Sequence, residues 1–461
     1  MEVTTEHERK LEAPEGFELP DLGGDPLEPR VFTSIYHDTA DGSLARAGIT
    51  LRRRTERGRS VWQLKLPTAD ARLELEQPGG PGEPPEELGR LLAAHLRHGS
   101  LAPVAELRTR RHGSLVARNG TTAEVTVDEV AVMDALRVKD EFVEVEIELR
   151  SGNPKLLDGI VREVAGAGAH PTDGLPKLFR ALGLERERYR RPRDPFKALR
   201  SLLLHQLGEI LAHDPGTRLG TDPESLHDMR VAVRRSRAVL RAGGSLVATD
   251  TDALTAELRW LGEVLGSVRD LDVMLGHLRE EAAALDPADR AAAGRLLRAL
   301  DRSRTRTRKA LLKALDDDRY LRLLDQFEDT LARLEPATTT TTLNALARRQ
   351  LKKLDRAARA LGDEPADAEL HALRSLAKRT RYAYELAGNA RVVRRAKELQ
   401  EVLGTHQDAV VAEARLRALA AEAPAAQALA AGLLIEAERR RRDETRAAWR
   451  KAWKRLERSA A

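Results

Sequence analysis

The chain has 461 residues, with 78 Lys and Arg against 73 Asp and Glu, no cysteine and 3% aromatic residues. That length suits two or three domains, each with its own core; the missing cysteines exclude disulfides and cysteine-ligated zinc. No apolar run approaches the roughly 20 residues of a membrane span, and so few aromatic rings leave little to stack on nucleic-acid bases, which argues against nucleic acid as a partner.

Residues 1–194 hold 29 Lys and Arg against 34 Asp and Glu, a balance of −5, which leaves +10 for the remainder. The start, Met1-Glu-Val-Thr-Thr-Glu-His-Glu, lacks the basic and apolar stretches of a secretion signal, so a cytoplasmic protein without a membrane partner is expected.

The first segments alternate charged and apolar residues. In a strand, the period of two puts Glu6, Glu8 and Lys10 on one face. The same period groups Arg52 with Arg54, Arg72 with Glu74 and Glu76, and Glu144 with Glu146 and Glu148, opposite Val143, Val145, Ile147 and Leu149. Lys65 is set apart from Trp62, Leu64 and Leu66, and Asp128 stands alone on its face. A wet outer face explains one such strand, but three carboxylates in a row repel one another unless cations sit among them. Closing the strands into an antiparallel barrel with charge inward would make a tunnel for acids, bases, a metal and a polyanion. Hard oxygen ligands of this kind favour Mg2+ or Mn2+.

These residues resemble the CYTH family, the triphosphate tunnel metalloenzymes, over about residues 1–185. The signature Glu-x-Glu-x-Lys stands at Glu6, Glu8 and Lys10, with Arg52, Arg54, Lys65 and Arg111 following in the family's order, and Pro176 replaces the usual Ser before Lys177. The resemblance implies cleavage of a triphosphate, with Glu6, Glu8 and Lys10 as catalytic residues. Lys10, Arg52, Arg54, Lys65, Arg111 and Lys177 would bind the phosphates. Glu6, Glu8, Asp128, Glu144, Glu146 and Glu148 would hold one or two divalent ions, and Glu6 and Glu8 are the candidates for a general base. Inorganic tripolyphosphate is the expected substrate. The alternatives are thiamine or nucleoside triphosphates, an adenylate cyclase-type reaction, or a non-catalytic polyphosphate receptor.

A charged, Pro-bearing stretch at 186–195 reads as a linker. Beyond it, over 196–461, long helices carry an internal duplication, with halves of about 196–335 and 343–461 joined by the Thr338–Thr342 connector and helix entry. His227-Asp-Met-Arg230-Val-Ala-Val-Arg234-Arg235-Ser-Arg237 returns 144 residues later as His371-Ala-Leu-Arg374-Ser-Leu-Ala-Lys378-Arg379-Thr-Arg381. Each copy is followed by a Leu-Gly turn, at Leu265-Gly266 and Leu403-Gly404, and then by Asp270 or Asp408. Offsets of 0, 3, 7 and 10 walk along one helix face. His227, Arg230, Arg234 and Arg237 therefore form one stripe, and His371, Arg374, Lys378 and Arg381 the other. Beside them lie apolar stripes of Leu226, Met229 and Val233 and of Leu370, Leu373 and Ala377. Two pseudo-symmetric bundles would bring both basic stripes to a shared cleft suited to a polyanion. The later run Arg439–Arg442 reads as a solvated helix face.

This half resembles the CHAD domain, a histidine-bearing α-helical family associated with inorganic polyphosphate, over about residues 195–461. The resemblance implies that the two stripes, with Arg235 and Arg379 as extras, line a polyphosphate-binding surface. His205 and Lys352 occupy similar places on the preceding helices. The expected whole is a multidomain α+β protein: a β-barrel tunnel, then an all-α domain of two helical bundles, located in the cytoplasm and on polyphosphate granules.

Overall fold

Hairpins build the first half of the chain. The computed structural model describes residues 1–68, 71–185 and 189–460; residues 186–188 of the expected linker lie outside the described residues. The chain divides into two compact units, Met1–Arg188 with Leu211–Leu219, and Tyr189–Ile210 with Gly220–Ala461.

The strands of the first unit are β1 (Glu2–Glu6), β2 (Glu8–Ala13), β3 (Asp25–Pro26), β4 (Arg30–Asp38), β5 (Thr50–Glu56), β6 (Arg59–Pro67), β7 (Arg72–Pro78), β8 (Ala102–Arg118), β9 (Thr121–Asp134), β10 (Arg137–Ser151) and β11 (His170–Pro171). Four short helices accompany them: α1 (Ser43–Arg46), α2 (Glu86–Leu91), α3 (Leu157–Gly166) and α4 (Lys177–Leu182). All the pairings are antiparallel, in the order β1-β7-β6-β5-β4-β8-β9-β10-β2-β11, with β3 on β8. The β8–β9 hairpin turns at Asn119-Gly120, both at positive φ (49° and 72°). Asn-Gly meets that demand at little steric cost, and such turns match the twist of the flanking strands.

The expected closed barrel is corrected in one respect: hydrogen bonds do not close the ladder. The Glu-x-Glu-x-Lys segment is two strands rather than one, parted at His7. β1 pairs with β7 near one end of the sheet and β2 with β10 near the other. The two ends are therefore joined by the chain itself. An ion pair between Arg72 on β7 and Glu8 on β2, at 3.8 Å, brings the ends together across the charged face.

The apolar faces are covered from outside that curve. Val125, Val127, Val145 and Ile147 pack against Leu157, Ile160 and Val164 of α3. Leu51, Trp62, Leu64, Leu66, Leu73 and Leu75 pack with Leu44 of α1 and Leu88 and Leu91 of α2. The opposite, charged face is nonetheless buried as well: Asp128 is 0%, Glu144 5% and Lys10 8% exposed. A strand buried on both faces with charge on one of them means a sheet curled round its charges.

The second unit comprises α5 (Pro195–Leu219, of which Leu211–Leu219 counts with the first unit), α6 (Pro223–Gly243), α7 (Asp252–Ala283), α8 (Pro287–Leu315) and α9 (Asp318–Ala332), then α10 (Leu343–Ala360), α11 (Asp367–Ala387), α12 (Ala390–Ala421) and α13 (Ala425–Ala460). Asp222 caps α6 with Pro223 in its first turn, and Thr342, the last of the threonine run, caps α10. The apolar stripes are buried as their spacing predicts, Leu226, Met229 and Val233 on α6 and Leu370, Leu373 and Ala377 on α11. Among the described residues no helix is long and apolar enough to cross a membrane.

The Leu-Gly pairs are corrected too. Gly266 and Gly404 lie inside the long helices α7 and α12, not at turns. A mid-helix glycine costs about 1 kcal/mol relative to alanine. What it admits here is a guanidinium: a Cβ on Gly266 would touch Arg230 at 3.5 Å, and one on Gly404 would touch Arg374 at 3.6 Å. The repeated glycine thus serves the repeated arginine, which lies against the neighbouring helix.

Candidate active site and cationic helix faces

Charged side chains on the inner face of the sheet converge because their strands keep register. Lys10 on β2 is opposite Glu146 on β10, and Asp128 on β9 is opposite both Glu144 on β10 and Arg111 on β8. Lys10 Nζ donates to Glu144 Oε1 (3.1 Å) and Glu146 Oε1 (2.7 Å). Lys177 reaches the same atoms at 2.9 and 2.6 Å, and Asp128 Oδ2 at 2.9 Å. Pro176 stands at the entry of α4, and Leu178 anchors that helix among Tyr36, Leu107, Val130, Val132 and Phe142, which seats Lys177 over the sheet. Arg111 grips Asp128 with two parallel bonds of 2.6 Å and also bonds Glu146. Burial alone would raise the carboxyls of Asp128 and Glu146. Lys177 and Arg111 on Asp128, and Lys10, Lys177 and Arg111 on Glu146, hold both below the usual carboxylate range.

The six residues thus make a self-neutralised cluster in which cations already sit among the row of acids. Phosphate oxygens could replace the carboxylates as partners of Lys10, Lys177 and Arg111.

A second group is acid-rich. Glu6 bonds Lys65 at 2.7 Å, and Lys65 also meets Glu74 at 3.4 Å; Glu8 has Lys10 at 3.7 Å and Arg72 at 3.8 Å. Glu148 bonds Arg150 at 2.7 Å, and Glu124 takes Arg150 at 2.6 Å and Arg30 at 3.2 Å. Burial, with Glu74 beside it, lifts the Glu6 carboxyl to about 6; burial, with Glu6 nearby, lifts Glu148 to about 7. Carboxylates that resist ionisation this way lack positive charge, and a divalent cation would supply it. Glu6, Glu8 and Glu148 therefore fit a Mg2+- or Mn2+-type ion. Asp128, Glu144 and Glu146, the rest of the expected metal set, are occupied by lysine and arginine.

Arg52 and Arg54 line the same face on β5. Arg52 donates to Gln63 Oε1 (2.7 Å) and Tyr36 OH (3.1 Å). Arg54 lies 4.0 Å over the Phe32 ring and Arg111 lies 5.5 Å from it. Burial, with Arg52 and Arg111 close by, lowers the Arg54 pKa, so this end of the face is short of negative charge. Sequence reasoning missed Phe32, Tyr36 and Gln63, and also Glu124, Arg30 and Arg150. Glu124 was findable, since it shares the alternation that marks Asp128; the aromatic pair carried no charge signal. Stacking of this kind is worth about 0.5–2 kcal/mol. The variant F32L should therefore raise KM for the triphosphate roughly tenfold with little change in kcat. A fall in kcat at unchanged KM in steady-state kinetics would contradict the positioning role.

In the helical unit, α6 and α11 face each other. Arg234 donates to Tyr382 OH at 2.7 Å, and Arg235 to Glu385 at 3.2 Å. Arg230 pairs with Asp270 at 3.0 Å. Burial lowers the pKa of Arg374, Asp408 partly offsets this, and Arg234 and Arg230 add to it. Burial together with Arg374, Arg234 and Arg230 depresses the Lys378 ammonium to about 7. Four stripe residues, two from each repeat, thus share one place.

The others differ. His371 is exposed and bonds Gln407 at 2.8 Å, while His227 is half-buried and, through burial and the nearby Arg269, has a lowered pKa. Arg237 lies beside Arg259 and Arg241, with its Nε buried and unpartnered among the described residues. Arg381 is 6% exposed and spent on Glu385 and Gln400, so it braces the helices rather than facing a ligand. Arg379 is exposed; His205 stacks on Tyr189.

The Arg439–Arg442 run is not simply solvated. Arg439 and Arg442 bond Glu413 of α12 at 3.1 and 3.2 Å, and Arg441 reaches buried Glu438 at 3.4 Å.

Comparison with known proteins agrees with this division. The CYTH domain family matches residues 4–178 and the CHAD domain family residues 201–417. The uncharacterised protein Rv2226 of Mycobacterium tuberculosis is 32% identical over 496 aligned positions, covering 97% of this chain and 96% of that protein. Among solved structures, PptA from Streptomyces chartreusis is similar at 26% identity and a TM-score of 0.50, over 56% of this chain and 99% of its own. The CHAD domain from the plant Ricinus communis is 27% identical, with a TM-score of 0.47, over 58% of this chain and 96% of its own.

Proposed function

This chain belongs to the family that joins a CYTH domain to a CHAD domain, and on that footing we propose that it hydrolyses inorganic tripolyphosphate to phosphate and pyrophosphate and binds inorganic polyphosphate on its helices. The observation that carries the enzymatic reading is the convergence of Lys10, Lys177 and Arg111 on a buried face beside the acid-rich group of Glu6, Glu8 and Glu148. A pure anion receptor gains little from so many carboxylates; a phosphoryl-transfer site needs both signs.

In this reading Lys10, Lys177, Arg111, Arg52 and Arg54 bind and orient the phosphate oxygens, donating from fixed positions so that charge developing in the reaction is stabilised without reorganisation. Glu6, Glu8 and Glu148 would hold a divalent ion, which when bound neutralises phosphate charge and makes water a better nucleophile. Glu6 and Glu8 are the candidates to accept the proton of the attacking water. Burial of the face excludes bulk water and strengthens each of these interactions. Both aromatic rings on this face, Phe32 and Tyr36, are already engaged by guanidiniums, which favours an inorganic substrate over one that must stack a base or a thiazolium.

Polyphosphate binding rests on Arg230, Arg234, Arg374 and Lys378. A polyanion would relieve the mutual repulsion recorded in the low pKa of Lys378. Tethering a chain there raises the local concentration of phosphoanhydride without any new contact at the active face.

Metal binding has a signature apart from turnover. The folded protein holds protons on Glu6 and Glu148 that an unfolded chain releases above about 4.5. Without metal, their contribution to stability therefore falls as pH rises through about 6–7. Adding Mg2+ or Mn2+ should raise the melting temperature more at pH 8 than at pH 5.5. Equal shifts at the two pH values, or none, would remove Glu6 and Glu148 from the metal set.

A further inference from the structure

Next to the paired stripes, and within the helical unit, lies a cavity of about 580 Å³ lined by Arg269, His277 and Arg279 of α7, Arg304 of α8 and Arg441 of α13, with Asp272 and Glu280 as its acids. Four arginines against two carboxylates leave it net positive. Arg279 is committed to Asp301 through two bonds of 2.7 and 2.6 Å. The other three are held lightly. Arg269 donates once, to Glu224 at 3.2 Å, and its Nε is buried and unpartnered among the described residues. Arg304 bonds Asp272, and Arg441 reaches Glu438 at 3.4 Å. A guanidinium has five N–H donors, so most of the donors of these three are uncommitted.

The cavity is electrostatically continuous with the stripes at two points. Arg269 bears on His227, the first stripe residue of α6, and precedes Asp270, the partner of Arg230. Arg441 bears on Asp408, which also feels Arg374 and Lys378. The repeats differ here. The position matching Arg269 in the second repeat is Gln407, whose amide is bonded to His371. The duplicated stripes offer a polyanion two equivalent directions, and the cavity favours one of them.

We infer that this cavity is a phosphate site that takes the groups of a polyphosphate chain running off the paired stripes, lengthening the cleft on the side of the first repeat and giving the bound chain a direction. The inference rests on the reading of the stripes as a polyphosphate surface. The shared chemistry is a phosphate oxyanion, and its source is either the bound chain or free phosphate.

The test measures long-chain polyphosphate binding to the full-length protein at several salt concentrations, for the wild type, R269Q/R304Q and the stripe variant R234Q/K378Q. Because R304Q leaves Asp272 without its partner, R269Q/R304Q/D272N is carried alongside, and thermal melts establish that each variant is folded. Loss of two charge-assisted contacts should weaken long-chain binding by about tenfold or more, with a shallower salt dependence because fewer counterions are released. Unchanged affinity and salt slope in the folded cavity variants, while the stripe variant is impaired, would overturn the extension and leave the stripes standing. Insensitivity of all the variants would instead overturn the polyphosphate reading on which the extension rests. Titration with inorganic phosphate separates the sources: if phosphate alone abolishes the difference between wild type and R269Q/R304Q, free phosphate is the occupant and the chain assignment fails.

Discussion

Replacing Glu6 and Glu8 together by alanine should lower tripolyphosphate turnover by about a thousandfold or more while leaving polyphosphate binding by the helices intact. Removal of a single preorganised charge-stabilising group already costs about a hundredfold to a thousandfold. This pair does two things at once. Glu6 and Glu8 supply part of the acid-rich group suited to a divalent ion, and they also hold Lys65, Arg72 and Lys10 in place. The second role makes the conservative pair E6Q/E8Q informative, since glutamine keeps the hydrogen-bond reach and removes the charge. Equal losses in the two variants would assign the effect to charge. Near-full activity in E6Q/E8Q would assign Glu6 and Glu8 to positioning alone, and unchanged turnover in E6A/E8A would reject the site.

Neutralising Arg234 and Lys378 should weaken polyphosphate binding by about a hundredfold, from two charged contacts worth roughly 1.5–3 kcal/mol each. The same side chains predict a pH dependence. In the free protein Lys378 titrates near 7, because burial and the three neighbouring arginines oppose its charge. A bound polyanion restores the charge, so at pH 8 binding takes up a proton and the affinity falls as pH rises through about 7. Calorimetry in buffers of different ionisation enthalpy measures that uptake directly, and K378Q should abolish it. Without ligand the sign is set by the depressed pKa: the folded state binds fewer protons than the unfolded chain between about 7 and 10.5, so the contribution of Lys378 to stability rises over that range. Proton uptake that persists in K378Q would place the titrating group elsewhere.

The charged faces were legible from the sequence because a period of two is local. Glu144, Glu146 and Glu148 share a face whatever their partners are. What alternation does not carry is the partner. Nothing in Glu6-His7-Glu8 announces that the ladder breaks there and that the two pieces join opposite ends of one sheet. Glu8 and Arg72, far apart in sequence, meet only through that geometry.

The helical half shows the same limit. The stripe offsets placed Arg230, Arg234, Arg374 and Lys378 correctly beside one another, but Arg381 keeps the period and still turns inward, because Glu385 one turn on and Gln400 on α12 capture it. Gly266 and Gly404 read as breaks since glycine usually punctuates helices. They are instead recesses for arginines from another helix, a reason that exists only in tertiary structure. The arginines of 439–442 looked solvated because their acids, Glu413 above all, sit on a neighbouring helix. Phe32 and Tyr36 went unnoticed because their part in the site is to hold charges, and they carry none.

The account stands or falls on phosphate release from inorganic tripolyphosphate, measured with Mg2+ or Mn2+ beside ATP and thiamine triphosphate. Metal-dependent release that prefers tripolyphosphate is the predicted result. No release from any of the three, by folded protein that still binds polyphosphate, would contradict it and leave the charged face a receptor rather than an active site.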